Sequence, residues 1–239
     1  MTQISLFPTK VIREEAFGGT ASLKMVGITL NGERYALKRL VDDPLLPITE
    51  WLCYHLCQAV NIPTPGWAVM ELLDGSLAFG SRIDKDTELL GKLSTNPVFI
   101  FSVITSLAAP LSRFLAVDYF LPNPDRHINN ILVRPLVNDQ MVALAFDWSE
   151  VKSLPTFLPW PWTIMCNSNQ VAQQLSRRNY LDTEAALAVN AAVCAIPSDA
   201  VRGWLEQAPA EWIPTDPGWI DTVVKSWTHA CSARANQVP

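Results

Sequence analysis

The segment Asn123-Pro124-Asp125-Arg126-His127-Ile128-Asn129-Asn130-Ile131-Leu132 decides the fold prediction for this sequence. Its last two residues begin a short apolar run of β type, Ile131 to Pro135. A second such run, Val142 to Phe146, ends directly before Asp147, which follows Asn130 by 17 residues. The pattern predicts a loop with an Asp and an Asn, followed by two strands, the second of which presents another Asp.

Asp125, Asn130 and Asp147 are residue types that suit phosphoryl transfer from a nucleotide. This reaction needs a group that accepts or orients the proton of the attacking hydroxyl, and it needs oxygen ligands for Mg²⁺. Asp125 suits the first role, whereas Asn130 and Asp147 suit the second. The alternative is that these residues only form Asx-turns, which are common in loops. The flanking apolar strands, the later Asp and an upstream lysine favour the reactive site.

Composition restricts the class of protein. With 239 residues, 49% of them hydrophobic, the chain can bury a sizeable core in one large domain or two small ones. The net charge of −5 gives no strong nucleic-acid signal, because nucleic-acid surfaces are usually basic. The first ten residues lack the basic start and apolar run of a signal peptide. Val98 to Val117 contains polar residues and Arg113, so it predicts a buried helix rather than a membrane span.

The cysteines favour a reducing compartment. Their number, five, is odd, and no CxxC motif is present, which predicts reduced thiols and a cytoplasmic location. Cys53 and Cys57 lie four residues apart on a predicted helix and share a face. Two core-facing thiols are favoured there over a two-ligand metal site, since free cysteine is usually buried.

The predicted elements form a strand-rich first third and a mostly helical remainder. Strands are predicted at Val11 to Ala16, Lys24 to Leu30, Arg34 to Leu40, Trp67 to Leu73 and Ser76 to Ile83. Asn31-Gly32 and Asp74-Gly75 are hairpin turn signals. Helices are predicted at Ile48 to Val60, Pro97 to Phe120, Gln170 to Arg178, Thr183 to Ala195 and Ser198 to Gln207.

Asp125-Arg126-His127 through Asn130, with Phe146-Asp147 downstream, resembles the catalytic and metal-binding segments of HipA-like kinases. The same segment is similar to the D-R-H-x-x-N segment of phosphatidylinositol kinases. Both families have the protein-kinase-like fold, in which a nucleotide binds between two lobes. The resemblance covers roughly residues 15 to 150. Family members of the longer toxin type have extra segments at both ends, whereas this chain is short. It therefore resembles the compact, stand-alone HipA-like group.

The resemblance implies an α+β, bilobal protein-kinase-like fold. It implies a single domain, 1–239, with an N-lobe near residues 1–82 and a C-lobe near 83–239. Lys38 then corresponds to the strand lysine that contacts nucleotide phosphates. A lysine between apolar neighbours in a strand is otherwise unusual, because a buried ammonium needs a partner. The alternative is an exposed lysine on the strand face. Glu50 corresponds to the ion-pair partner of Lys38, although a Glu near a helix start is also ordinary dipole chemistry.

Two further nucleotide-binding segments are implied by the resemblance. Phe17 to Ser22 occupies the position of the phosphate-covering loop, with candidate binding residues Gly18, Gly19, Thr20, Ala21 and Ser22. Its glycine pair lets backbone N–H groups approach phosphates but departs from G-x-G-x-x-G, and a plain turn is the alternative. Phe79-Gly80-Ser81-Arg82 resembles the hinge, where backbone groups of all four residues bind adenine.

His127 has two interpretations within the same resemblance. In lipid-kinase relatives the corresponding histidine is a candidate base, and elsewhere it supports the catalytic loop. Support is favoured here, because Asp125 is already available to position the hydroxyl. Asp147-Trp148-Ser149 occupies the position of the Asp-Phe-Gly segment of protein kinases.

The sequence therefore predicts a kinase that uses ATP and Mg²⁺ to phosphorylate a Ser or Thr hydroxyl of a protein partner. The protein substrate or regulatory partner follows only from the HipA-like resemblance. A small-molecule or lipid kinase using the same site is one alternative. A nucleotide-binding pseudokinase, which regulates a partner by shape, is an alternative of another class.

Overall fold

Five strands in the N-terminal part of the chain close into a barrel. The computed structural model describes residues 7–17, 24–93, 95–136, 140–151, 154–157, 163 and 165–234. The barrel strands are β1 (Thr9–Ala16), β2 (Met25–Thr29), β3 (Arg34–Arg39), β4 (Trp67–Glu71) and β5 (Leu77–Ile83). Their order is β1-β2-β3-β5-β4, and a parallel pairing of β1 with β4 closes the circle. Each strand lies where the sequence predicts one.

Glycines form two turns of this barrel. Gly32 has a φ of 75° and Gly75 a φ of 84°, values that L-residues with a side chain adopt at a cost. The N–H of Gly32 donates to Thr29 O, and that of Gly75 donates to Leu72 O. The turns fix the antiparallel pairs β2–β3 and β4–β5, as the two hairpin signals predict.

Helix α1 (Leu46–Ala59) connects β3 to β4 and is buried along most of its length. The carboxylate of Asp43 accepts a hydrogen bond from the N–H of Leu45, and a proline follows in the first turn, as at many helix starts. Every residue from Leu46 to Cys57 is buried. The predicted burial of both helix thiols is therefore confirmed, and Glu50 is held inside the protein.

Aromatic rings join α1 to the C-terminal part of the chain. His55 stacks on Trp204 with 5.5 Å between ring centroids, and Trp51 meets Trp212 edge-on at 5.9 Å. Nε1 of Trp51 also donates to the carbonyl oxygen of Trp204 at 2.8 Å, across 153 residues of sequence. These contacts fix the helix that contains Glu50 against distant elements.

A three-stranded sheet and six further helices complete the described residues. The sheet has the order β6 (Glu88–Leu89), β7 (Ile131–Pro135), β8 (Met141–Ala145), with antiparallel pairs. The helices are α2 (Pro97–Ser106), α3 (Ala108–Phe120), α4 (Asn167–Arg177), α5 (Thr183–Cys194), α6 (Ser198–Gln207) and α7 (Trp219–Arg234). Short 3₁₀ turns lie at Leu90–Lys92, Ile128–Asn130 and Ala210–Trp212. The sequence predicted neither β6 nor α7.

The apolar segment 98–117 forms two helices that meet at a bend of 75°. Pro110 explains the break, because it has no N–H and its ring would clash with the carbonyl of Ser106 in a straight helix. Helix α3 is largely buried, as predicted. Helix α2 is not, since Val98 is 76% exposed and Phe99 41% exposed. The predicted burial was therefore right for α3 and wrong for α2.

Within the residues that the structure describes, no single helix is both long and apolar enough to cross a bilayer. The consecutive pairs α2–α3 and α5–α6 meet the length and composition criteria only when their two bent halves are taken together.

Buried side chains form two clusters. The smaller one fills the barrel and consists of Val11, Tyr35, Leu37, Met70, Leu72 and Ala78. The larger one extends from α1 through α3, β7 and β8 to α7. Helix α1, which precedes residue 82, contributes to the larger cluster. The fold is mixed α and β, and its division into two lobes at that residue stays a prediction.

Candidate active site

Three charged side chains from distant parts of the chain meet at one buried point. Nζ of Lys38, on β3, lies 2.6 Å from Oδ1 of Asp147 and 3.5 Å from Oε1 of Glu50, on α1. The side chains of Lys38 and Glu50 are 4% and 1% exposed. The exposed-lysine alternative is therefore wrong, and the predicted Lys38–Glu50 pair is present with Asp147 as the nearer partner.

Burial and neighbouring charges shift the pKa values in this group. Burial raises the pKa of Glu50 to about 7, against the opposing effect of Lys38. Burial also lowers the pKa of Lys38, but the two carboxylates outweigh it and leave that pKa raised. Lys38 is closer to Asp147, and among the described residues nothing donates to Oε2 of Glu50. Burial thus favours the protonated form of Glu50, and the ammonium of Lys38 pairs mainly with the carboxylate of Asp147.

Local backbone geometry aims Asp147 at this point. β8 ends at Ala145, and Asp147 has a φ of 61°, in the left-handed region where Asp is one of the tolerated residues. The hydroxyl of Ser149 donates to Oδ1 of Asp147 at 2.7 Å. The next residue, Trp148, is buried, and its N–H donates to Oε1 of Glu50 at 3.0 Å. The side chain of Asp147 and the backbone N–H of Trp148 therefore both form hydrogen bonds within the charged group.

The loop between α3 and β7 positions Asp125 and Asn130. Nδ2 of Asn130 donates to the carbonyl oxygen of Asp125 at 2.9 Å and to its Oδ2 at 3.2 Å. The backbone N–H of Asp125 donates to Oδ1 of Asn123 at 3.1 Å, which closes an Asx-turn. This turn is made by the side chain of Asn123, whereas among the three predicted site residues Asp147 makes a contact of this kind, with the N–H of Ser149 at 3.4 Å. The bonds made by the amide nitrogen of Asn130 leave its Oδ1 without a donor among the described residues.

Arg126 joins the two halves of the site. Its guanidinium makes a two-point ion pair with buried Asp118, at 2.7 and 2.9 Å. The same group donates to the carbonyl oxygens of Asn130 and Phe146, both at 2.6 Å. Phe146 directly precedes Asp147, so one buried side chain fixes the backbone at both predicted metal ligands. This role of Arg126 was not predicted, because its sequence neighbours are polar and only the folded chain brings it to Asp118 and Phe146.

His127 lies at the rim of the site. Its Nδ1 accepts the N–H of Asn129 at 3.1 Å and caps the short 3₁₀ turn. Its Nε2 lies 3.6 Å from Oδ2 of Asp125. The capping bond agrees with the predicted support of the loop, and the role in catalysis stays a prediction.

A cavity of about 740 Å³ is lined both by the Lys38–Glu50–Asp147 group and by the loop that contains Asp125 and Asn130. Ala36, Ile83, Leu89 and Leu132 supply apolar surface, whereas Lys38, Glu50, Asp125, His127, Asn130 and Asp147 supply polar atoms. The volume lies within the range of small-molecule sites, which combine apolar walls with a few convergent polar groups. The apolar lining from β3, β7 and the segment after β5 was not predicted, because single apolar residues in strands have no distinguishing signal.

The predicted hinge is only partly at the cavity. Ser81 and Arg82 line it, but Phe79 and Gly80 do not. Phe79 is buried in the larger core, and β5 pairs with β3 on one side and β4 on the other. Backbone groups within β5 are thus engaged in the sheet. The structure continues the cavity wall past Ile83 to Leu89, beyond the predicted hinge.

The predicted phosphate-covering loop, with Gly18, Gly19, Thr20, Ala21 and Ser22, lies outside the described residues. Its described neighbours, Phe17 and Lys24, both line the cavity, and the N–H of Phe17 donates to the carbonyl oxygen of Lys24 at 2.9 Å.

Asn130 and Asp147 are the residues here that could hold Mg²⁺. In the described part of the chain no cluster of three or more His, Cys, Asp or Glu could enclose a metal ion. Mg²⁺ does not need one, because it binds through one or two carboxylates together with waters and phosphate oxygens. The carboxylate of Asp147 and the amide oxygen of Asn130, which has no donor among the residues that the structure describes, fit that requirement.

Comparison with known proteins gives fold-level similarity. No family model matches the chain, and no curated protein matches it in sequence. The structure is similar to the Helicobacter pylori proinflammatory kinase CtkA, with a TM-score of 0.52, 11% identity and 90% of each chain covered. It is also similar to HipA in the Shewanella oneidensis toxin–antitoxin complex of HipA, HipB and operator DNA, with a TM-score of 0.50 and 11% identity. That match covers 95% of this chain and 65% of the other. The fold is thus that of HipA-like kinases at a distant level.

Proposed function

We propose that this chain is a kinase that uses ATP and Mg²⁺ to phosphorylate a Ser or Thr hydroxyl of a protein partner. The observation that supports this best is that one cavity contains the buried Lys38–Glu50–Asp147 group and the Asp125–Asn130 loop. A phosphoryl-transfer site needs a cation at the phosphates, metal ligands and a group for the acceptor proton, and these residues supply each.

The cavity offers different surfaces to the two ends of a nucleotide. The apolar side chains of Ala36, Ile83 and Leu132 suit an aromatic base. The ammonium of Lys38 suits phosphate oxygens, since it is buried and its pKa is raised, which keeps it protonated. Lys38 contacts the carboxyl groups of both Glu50 and Asp147. When a nucleotide binds, its phosphate oxygens would replace part of this pairing.

Asn130 and Asp147 are the proposed Mg²⁺ ligands, through an amide oxygen and a carboxylate. Bound there, Mg²⁺ would neutralise charge that develops on the transferred phosphoryl group. Arg126 holds the backbone at both ligands, and Ser149 orients the carboxylate of Asp147. The chain thus contributes a rigid pair of oxygen ligands.

Asp125 is the proposed partner of the acceptor hydroxyl. Its side chain is 34% exposed, so an acceptor can approach it from solvent. Oδ2 would accept the proton as the hydroxyl oxygen bonds to phosphorus and the bond from phosphorus to the leaving oxygen breaks. A protein acceptor is proposed because the HipA-like resemblance implies one and the structural neighbours are kinases.

The experiment supplies γ-labelled ATP and Mg²⁺ with three separate acceptor pools: cell protein, lipid vesicles and a metabolite fraction. The proposal expects label on Ser or Thr of a protein, identified by phosphoamino-acid analysis, and transfer slower by roughly 10²–10⁴-fold with Asp125→Asn. Label confined to a lipid or a metabolite would replace it by the small-molecule or lipid kinase. Tight ATP binding without transfer to any pool, or to the chain itself, would favour the pseudokinase.

A further inference from the structure

The carboxylate of Asp125 has a second amide partner from a distant part of the chain. Nδ2 of Asn167, the first residue of α4, donates to Oδ1 of Asp125 at 2.6 Å, across 42 residues of sequence. The opposite oxygen, Oδ2, receives Asn130 at 3.2 Å. Each carboxylate oxygen therefore has its own amide donor, and the plane of the carboxylate is defined by contacts on two sides.

The backbone at Asn167 is held by its neighbour and not by its own side chain. Ser168 is fully buried, and its Oγ donates to the carbonyl oxygen of Asn123 at 2.7 Å and accepts the N–H of Arg126 at 2.8 Å. The N–H of Ser168 also donates to Pro124 O at 3.1 Å. These three bonds join the start of α4 to the loop of Asp125. The side chain of Asn167 is thus available for a role other than joining the two segments.

We infer that Asn167 is a positioning residue for phosphoryl transfer, which holds Oδ1 of Asp125 by a short hydrogen bond and so fixes the direction in which Oδ2 meets the acceptor hydroxyl. The inference rests on the proposed function of Asp125. An amide suits this role, because it donates a hydrogen bond without the positive charge of Lys or Arg, and the carboxylate stays a proton acceptor. Without Asn167, rotation about the last side-chain torsion would move both oxygens away from a fixed attack geometry.

Asn169 provides a matched control on the same helix turn. Its Nδ2 donates to the carbonyl oxygen of Thr163 at 3.0 Å, and its side chain has no contact with Asp125. Asn167→Ala and Asn169→Ala therefore remove the same group from the same helix end. We expect Asn167→Ala to lower kcat by roughly 10- to 100-fold, because small misplacements of a reacting group have effects of this size. We expect Asn169→Ala to stay within about twofold of wild type.

A double-mutant cycle separates positioning from a general loss of structure. In the Asp125→Asn background, Asn167→Ala should change the residual turnover by less than about twofold, since the group that it positions is already gone. The KM for ATP and the Tm should match those of Asn169→Ala. If Asn167→Ala lowers the Tm more than the control does, Asn167→Ser, a residue common at helix starts, replaces it. Equal kcat values for Asn167→Ala and Asn169→Ala would overturn the inference. It would also be overturned if Asn167→Ala lowered turnover as much in the Asp125→Asn background as it does in wild type.

A second measurement needs no turnover. Crystal structures of wild type and Asn167→Ala, at a resolution that defines side-chain torsions, should show Asp125 rotated or in several orientations in the variant. An unchanged Asp125 would overturn the inference. If wild type transfers no phosphate to any acceptor, the proposed function fails, and this pair of structures still decides whether Asn167 orients Asp125.

Discussion

Nζ of Lys38 lies 2.6 Å from Oδ1 of Asp147, although 109 residues separate them in the sequence. The same nitrogen is 3.5 Å from Glu50. In the proposed reaction Asp147 binds Mg²⁺, so its carboxylate exchanges one cation for another when nucleotide and metal bind. The affinity of the site for Mg²⁺ and nucleotide therefore depends on three residues from three different elements.

Removal of Asp147 should abolish Mg²⁺-dependent nucleotide binding and leave the fold intact. Lys38 keeps Glu50 as its partner in Asp147→Ala, so its ammonium is not left uncompensated. With ATP and Mg²⁺ at a hundredfold excess over Kd, wild type should gain about 2.7 kcal/mol, measured by thermal shift. The control is Glu150→Ala, an exposed carboxylate at the same cavity, which should keep the gain. An equal gain in Asp147→Ala would refute the metal assignment.

Lys38→Met should weaken ATP binding more than adenosine binding. Lys38 is proposed to contact phosphates, whereas the apolar wall holds the base. Calorimetry with ATP, ADP and adenosine measures the three affinities. Lys10→Met, which removes a lysine that is 75% exposed and lies outside the cavity lining, should change none of them. Equal losses for ATP and adenosine would point to a folding defect or a different site.

Acid should destabilise the protein through His55. Burial lowers the pKa of His55 to about 4, from its ordinary value of 6.5. The unfolded chain therefore binds more protons between these values, so stability is complete above pH 6.5 and falls as the pH drops towards 4. The difference corresponds to about 3 kcal/mol. His55→Phe, which retains a ring among the tryptophans, should lose this pH dependence in urea unfolding, and exposed His229→Phe should keep it. The same slope in wild type and His55→Phe would contradict the assignment.

Arg126→Met should destabilise the fold by about 3–5 kcal/mol, because it leaves the buried carboxylate of Asp118 without its cation. Urea unfolding measures the change. Arg202→Met removes a similar pair from the surface, where Asp221 is 72% exposed, and should cost no more than about 1 kcal/mol. Replacement of both partners, Arg126→Met with Asp118→Leu, should recover part of the loss. If Arg126→Met and Arg202→Met lowered the free energy of unfolding equally, the buried pair would contribute no more to stability than the surface pair.

Much of the fold was predictable where local chemistry determines it. Gly32 and Gly75 lie in the predicted turns with positive φ, and the five strands around them pair as the barrel. At these turns a glycine after Asn or Asp between two apolar runs has one dominant physical explanation, so sequence alone suffices. Lys38 and Glu50 form the ion pair that the resemblance implies, whereas the contact of Lys38 with Asp147 was not predicted.

Other features depend on partners that are distant in sequence. Asn167 differs in no local respect from Asn169, and only the folded chain brings it to Asp125. Phe79 lies within a strand rather than at its end, because pairing with two neighbouring strands fixes where β5 stops. Helix α2 is largely exposed. Its exposure could not be predicted, because its composition does not specify whether another element covers it. Tertiary context decides each of these.

The most direct test of the central claim compares phosphate transfer and nucleotide affinity in wild type and Asp125→Asn. The two side chains have nearly the same shape, and Asp125→Asn keeps the backbone carbonyl that accepts the shorter hydrogen bond from Asn130, so the proposed metal ligand stays in position. We expect ATP and Mg²⁺ affinity within about twofold of wild type, and turnover lower by roughly 10²–10⁴-fold. Transfer at the wild-type rate in Asp125→Asn, with unchanged affinity, would contradict the account.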